Sequence, residues 1–291
     1  MADVLFQQIL NGIVSGSTYA LIALGLTLIY GVMELVNFAH GEFAMIGGFV
    51  TFYLVASRSG DYLLAILLSF LAAGLIGVLI DLLAFYPLRK GNPLNLMLSS
   101  LGVSIFLVNL AQHFFSADPR KVPTPFLAQI YHIGGASLTG QRILVVIASV
   151  LLAAGTYLLI QKTDFGRAVR AASQDVDTAL LYGINTDRVA FFTFSLGTAL
   201  AGATGAMVGP LFDVYPTMGI PLTLKAFVVV VLGGMSSIPG AIFGGLLIGL
   251  AESLSSLISS RYTDLFVYLI LLLTLIFKPH GIFRRYREEK V

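Results

Sequence analysis

The chain reads as an all-α membrane protein, a polytopic bundle of about eight transmembrane helices plus a broken or re-entrant helix pair. Three observations predict this. Only 11% of the 291 residues are charged, where a soluble domain carries roughly 25%, while 57% are hydrophobic and the mean hydropathy is +0.91. So few charges could not cover a water-facing surface of this size. Uncharged runs recur along the chain at close to the ~20 residues a helix needs to cross hydrocarbon. Lys and Arg collect in short segments between those runs, as they do on one side of membrane proteins.

Runs free of Asp, Glu, Lys and Arg cover 4–33, 43–57, 62–80, 91–117, 143–161, 189–212, 226–251 and 265–277. Each is read as a helix, because backbone amides in lipid must bond internally. The first lacks a basic leader and a small-residue cleavage site, so it reads as a retained span rather than a signal peptide. Gly12, Gly16 and Ala20 line one face of it. The second run gains length from "NFAHGE". The third ends at Asp81, which shares a helical face with Arg89 and is expected to pair with it. Gly197, Ala201, Gly205 and Gly209 line one face of the sixth. Such ridges let helix backbones approach closely, and packing within one bundle is the expected use. The last run is short and extends back through Tyr262 and Thr263.

Orientation follows from the basic loops. Arg89 and Lys90 follow the third run; Lys162, Arg167, Arg170 and Arg188 follow the fifth, which places both loops on the cytoplasmic side. The basic tail "KPHGIFRRYREEK" belongs there too, yet eight plain crossings would put it opposite. One late segment is therefore not a simple crossing. The candidate is 224–258, interrupted by Gly233-Gly234 and Pro239-Gly240, where missing side chains and a missing N–H should break a helix. Non-helical backbone at membrane depth survives only when protein or a water-filled cavity covers it. Gly233, Gly234, Pro239 and Gly240 are thus candidates for a translocation path or gate. "HGEFAMIGG" at 40–48 faintly matches "PGAIFGG" at 239–245, a hint of inverted halves.

Between runs five and six lies "KTDFGRAVRAASQDVDTALLYGINTDR", 162–188. Phe165, Val169, Ala172, Val176, Leu180 and Gly183 recur at three- and four-residue steps, predicting one amphipathic helix over 165–183. Thr163 or Asp164 would cap its start and Gly183 its end. A surface helix lying on lipid is one reading. Asp164, Asp175, Asp177 and Asp187 offset the basic residues, however, and a lipid-binding helix should be more uniformly basic. The small side chains of the stripe suit insertion into a protein groove.

Asn37, His40 and Glu42, with Gly41 between, stand at the start of an apolar run. Two uses remain open: capping a broken helix or pairing with one another, and lining the translocation path or its gate. Enzymatic and nucleic-acid roles find no support. The chain has no Cys, four His and a net charge of +2, and no spacing of metal ligands or paired carboxylates appears. No phosphate-binding G-x-x-x-x-G-K-[ST] loop is present, so no cofactor is expected and any ATP hydrolysis belongs to another chain. With few intramembrane charges, the solute should be neutral or zwitterionic with apolar parts. An ATP-independent secondary transporter is the alternative class.

"GRAVRAASQDVDTALLYGINTDRV" resembles the cytoplasmic coupling segment of branched-chain amino acid ABC transporter permeases, the Liv-type H subunit family. "LNGIVSGSTYALIALGLTLIYGV" with "VNFAHGEFAMIG" is similar to that family's amino-terminal signature, "KAFVVVVLGGMSSIPGAIFGGLLIGLAE" to its late one and "KPHGIF" to its ending. Urea permeases and other relatives share most of these motifs. The resemblance implies a single permease domain over 1–291, in a multi-pass chain of the bacterial inner membrane. It implies a second homologous permease subunit, two cytoplasmic ATP-binding subunits and a periplasmic substrate-binding protein as partners. It also implies that 162–188 is the coupling segment, with Phe165, Gly166, Arg167, Ala168, Arg170, Ala171, Asp175 and Gly183 in an ATPase cleft. Branched-chain amino acids are the implied substrates; urea or another small neutral solute is the alternative.

Overall fold

The computed structural model describes residues 2–58, 61–89, 91–279 and 281–283. Lys90, His280 and the basic tail from residue 284 onward lie outside the described residues. Eleven α-helices appear among the described residues: α1 (Ala2–Met33), α2 (His40–Arg58), α3 (Tyr62–Ile80), α4 (Pro93–Phe115), α5 (Gly140–Lys162), α6 (Asp164–Ala172), α7 (Val176–Leu181), α8 (Thr186–Phe212), α9 (Gly219–Gly233), α10 (Ile238–Ser255) and α11 (Thr263–Phe277). Seven helical stretches are long and apolar enough to cross a membrane, and α2 and α9 are shorter apolar helices. The reading of about eight spans thus resolves into seven long helices and two shorter ones. β1 (Ile130–Ile133) and β2 (Ala136–Thr139) form an antiparallel hairpin before α5.

The hairpin marks one face. Ser137 N of β2 donates to Gln7 Oε1 at 2.9 Å, so α1 starts there. The opposite face is the basic one: Leu28 and Val32 of α1 cluster with Ile160, Val169 and Ile238. α3 ends there too, passing through a π turn at Asp81–Phe85 and a 3-10 turn at Tyr86–Leu88. Asp81, fully buried, pairs with Arg89 as expected. At the hairpin face buried Gln141 of α5 donates to Tyr62 Oη at 2.6 Å and to the Met207 carbonyl at 3.2 Å, tying α3, α5 and α8 together.

α1 and α8 form the centre. They cross where Gly25 and Gly197 meet, so closely that a Cβ on Gly197 would sit 2.7 Å from the Gly25 carbonyl oxygen. Both glycine ridges pack inside the bundle. Gly16 faces α10, where a Cβ would come 2.8 Å from Leu246 Cα. Gly205 faces the Ala44 backbone of α2, and a Cβ there would overlap it.

The architecture repeats with inverted direction. α1 runs from the hairpin face to the basic face and ends at Glu34 with φ 50°. An extended stretch then turns back into the bundle and starts α2. α8 runs the other way, ends at Asp213 with φ 63°, and an extended stretch turns back to start α9. The two inward starts meet: Gly41 N donates to Thr223 Oγ1 at 2.8 Å, and Gly41 packs on Gly219. α3 packs on α8 and α10 packs on α1. The repeat is therefore α1–α2–α3 against α8–α9–α10. The sequence match of 40–48 with 239–245 pairs α2 with α10 and is not this repeat. It reflects glycines that both helices need for close packing, Gly47 on Gly202 and Gly245 on Ala20.

The parity problem resolves accordingly. The chain does break at Gly234–Ser237, where Gly234 has φ 102° and Ser237 Oγ accepts from Gly240 N at 3.1 Å. That break divides 224–258 into the expected pair, α9 and α10, with its turn at the basic face. The re-entry lies upstream, at 213–218, where Asp213 and Pro216 stop α8. Ile282 N donates to the Leu232 carbonyl at 2.8 Å, so the last described residues lie on the basic face.

The amphipathic helix read over 165–183 is two helices. α6 ends near Ser173, and Asp175 starts α7 by accepting from Thr178 N at 2.8 Å. A short acceptor side chain that caps a new helix competes with continuing the old one. Thr163 caps α6 through Gly166 N at 3.1 Å, and Gly183, with φ 81°, follows α7.

Candidate functional site

The inward start of α2 holds Asn37, His40 and Glu42, all fully buried. Asn37 Oδ1 accepts from Ala39 N at 3.0 Å and caps the turn. His40 donates from Nε2 to the Ile22 carbonyl of α1 at 3.0 Å, which fixes its tautomer. Ser104 Oγ of α4 donates to Glu42 Oε1 at 3.0 Å, and Phe38 N donates to Ser100 Oγ at 3.1 Å. The three polar side chains bond to α1, α4 and their own turn rather than to one another, so of the structural uses left open capping is made and mutual pairing is not. They lie deep in the bundle. Asn37 Nδ2, His40 Nδ1 and Glu42 Oε2 are buried without a hydrogen-bond partner among the described residues. They form a polar plug where α1, α2, α4 and α9 converge.

The second half of the sequence-derived path is elsewhere. Gly233 and Gly240 pack backbone to backbone at the basic face. α9 separates them from the plug; fifteen residues at 1.5 Å rise span roughly 20 Å. Gly233, Gly234, Pro239 and Gly240 therefore do not join Asn37, His40, Gly41 and Glu42 in one site.

On the hairpin side of the plug lies a cavity of about 410 Å³ bordered by α1, α8, α9, α10 and the start of α11. Its wall carries Lys225, whose Nζ lies 2.5 Å from Glu252 Oε1, 3.0 Å from Tyr19 Oη and 3.4 Å from Asp264 Oδ1. Lys225 also sits over the Tyr19 ring at 5.2 Å from its centroid. Lys225 and Glu252 side chains are 14% and 18% exposed. The sequence pattern did not single out Lys225 or Tyr19. The apolar run was begun at 226, which set Lys225 outside it; the signal was a lone lysine four residues after Pro221 in an otherwise apolar stretch.

On the basic face the segment 162–188 sorts into inner and outer residues. Gly166 is buried, and a Cβ there would overlap the Ile160 backbone of α5. Arg170 donates to the Ile160 carbonyl. Phe165 packs edge-on against Phe192 of α8 at 6.2 Å. These three lock α6 to α5 and α8. Ala168 and Ala171 are half-buried. Arg167, paired with Asp164, Asp175 and Gly183 are exposed. The most exposed apolar residues of the segment are Leu181 at 88% and Tyr182 at 84%, which sequence reasoning did not single out because they fall off the periodic stripe.

A bundle with an inverted repeat, helices that begin in its interior and a charged cavity on one side defines a multi-pass solute permease. The family described as branched-chain amino acid transport system / permease component matches residues 8–275, and the chain belongs to it. The high-affinity branched-chain amino acid transport system permease protein LivH of Salmonella typhimurium is 39% identical over 304 residues, covering 98% of this chain and 97% of that one. The corresponding protein BraD of Pseudomonas aeruginosa is 38% identical over 300 residues with the same coverage. A probable LivH of Methanocaldococcus jannaschii is 30% identical, covering 95% and 92%. Among solved structures, PsaBC from Streptococcus pneumoniae in complex with Fab is similar in fold, with TM-score 0.52 over 93% of this chain and 91% of that one at 14% identity.

Proposed function

We propose that the chain is the membrane subunit of an ATP-driven importer in the bacterial inner membrane, moving branched-chain amino acids released by a periplasmic binding protein. The basic face is cytoplasmic and the hairpin face periplasmic. Segment 162–188 is the coupling segment, and hydrolysis occurs on two separate ATP-binding subunits that serve this chain and a second, homologous permease. The observation that carries this reading is the α5–α6 elbow. Gly166 and Arg170 both seat on Ile160, while Leu181 and Tyr182 are presented outward. An ATP-binding subunit gripping the outward residues moves α6, and the seat passes that motion to α5.

The plug of Asn37, His40, Gly41 and Glu42 is the gate, closed in this state. Its three orphaned polar atoms supply bonds that a second arrangement can satisfy. ATP must bind one arrangement more tightly than the other for the gate to move. Gly233, Gly234, Pro239 and Gly240 hold the α9–α10 turn and act on the path only through α9. The test is uptake of radiolabelled L-leucine into proteoliposomes holding the complete transporter and its binding protein. Uptake that requires internal ATP supports the reading. Concentrative uptake by this chain alone, without ATP, would overturn it.

A further inference from the structure

We propose that Lys225 and Glu252 form a zwitterion-binding site at the periplasmic mouth, taking the α-carboxylate and α-ammonium groups of a free amino acid. The proposal rests on the amino acid importer reading and locates its first intramembrane substrate site. The walls of the cavity are polarised. α9 supplies the positive wall: Lys225 stands on the same helical face as Leu222 and Met218, which also line the cavity. The facing wall is negative, with Glu252 from α10 and Asp264 from α11. Val208, Phe212 and Leu222 line the cavity between, where an apolar side chain would rest.

Lys225 and Glu252 pair directly across the cavity, with Asp264 3.4 Å from the lysine and Asp213 also on the lining. Glu252 Oε2 remains buried with no hydrogen-bond partner among the described residues. A zwitterion can replace this pair without changing the net charge of the cavity. Its ammonium bonds Glu252, including the orphaned Oε2, while its carboxylate replaces Glu252 as the partner of Lys225. Tyr19 Oη continues to hold the lysine. An anion alone would pair with Lys225 and leave Glu252, Asp264 and Asp213 uncompensated. The exchange also breaks a direct link between α9 and α10, so the arrival of substrate frees the helix whose start, Gly219, rests on Gly41 of the plug.

The experiment uses the complete transporter with its ATP-binding subunits and binding protein. Leucine uptake and leucine-stimulated ATP hydrolysis are measured for wild type, Glu252→Gln, Lys225→Met and the exchanged pair Lys225→Glu/Glu252→Lys. We expect uptake by each single variant to fall about tenfold or more, and the exchanged pair to assemble normally without recovering uptake. Recovery by the exchanged pair would mean a helix lock only and would overturn the proposal, as would single variants that transport normally. Photo-leucine crosslinking of the wild-type complex needs no variant. Adducts on 15–19, 207–225 or 250–264 support the site, and adducts confined to other segments sink it. A wild-type complex that takes up no leucine at all refutes the importer reading itself.

Discussion

Replacing Leu181 and Tyr182 should separate coupling from folding. Both side chains project from the end of α7, 88% and 84% exposed, and touch little of their own chain. Truncating such residues changes stability by no more than about 0.5 kcal/mol. If they are buried in an ATP-binding subunit, the cost moves to the interface. Burying a leucine contributes roughly 1.5–3 kcal/mol, so Leu181→Ala should weaken association by about 2 kcal/mol, near thirtyfold in Kd. Tyr182→Ala should cost about as much, since tyrosines concentrate binding energy at interface centres. Arg167→Ala is the contrast. Its side chain is 67% exposed and its partner Asp164 is 89% exposed, and such pairs contribute at most about 1 kcal/mol. The assay is titration of the ATP-binding subunit onto permease held in nanodiscs, with thermal melting of each variant followed by circular dichroism. Leu181→Ala and Tyr182→Ala affinities within about threefold of wild type, at unchanged melting temperature, would refute the placement of the interface.

Gly205→Val should lower the melting temperature sharply, because its side chain would overlap the Ala44 backbone and overpacking costs about 1–3 kcal/mol or more. Gly102→Ala, where a Cβ meets nothing within 4 Å, should be neutral or stabilising by about 1 kcal/mol. Arg89→Met strands the fully buried Asp81, at a cost of about 3–5 kcal/mol; the double change Asp81→Asn/Arg89→Met should recover most of that loss in a melting experiment. Ser104→Ala removes the bond that Glu42 Oε1 accepts and should cost about 0.6 kcal/mol. Glu42→Gln keeps an acceptor for Ser104 and should melt close to wild type.

What the sequence displayed well was anything governed by local pattern. The helix class followed from run length and the scarcity of charge. The ridge Gly12, Gly16 and Ala20 was legible because close helix approach requires small residues at four-residue steps, and α10 does pack there. Asp81 and Arg89 were legible because eight residues on a helix return to one face. The re-entry at 213–218 was not. It begins with Asp213 at φ 63°, a conformation that no local pattern announces in a non-glycine residue, and the short stretch lies between two long apolar runs. The break at Gly233–Gly240 was legible from its glycines and proline, and it does divide 224–258 into α9 and α10.

The site divides along the same line. Asn37, His40 and Glu42 stood out as polar residues in an oily context, but their partners, Ile22 of α1 and Ser104 of α4, come from distant parts of the chain. No spacing rule could pair them, so mutual pairing looked reasonable and is not what the fold does. Gly166 and Arg170 lay on the expected segment, yet both face Ile160 rather than outward. Their contacts seat α6 on α5. Lys225 escaped notice because charge was used to delimit runs, and a charge used as a boundary is not examined as a residue within one. Only the convergence of α1, α9, α10 and α11 gives that lysine Tyr19, Glu252 and Asp264 as neighbours. A lysine held by three partners from three other helices couples their positions. Whatever disturbs this cluster acts on α9, whose inward start, Gly219, packs on Gly41 of the plug.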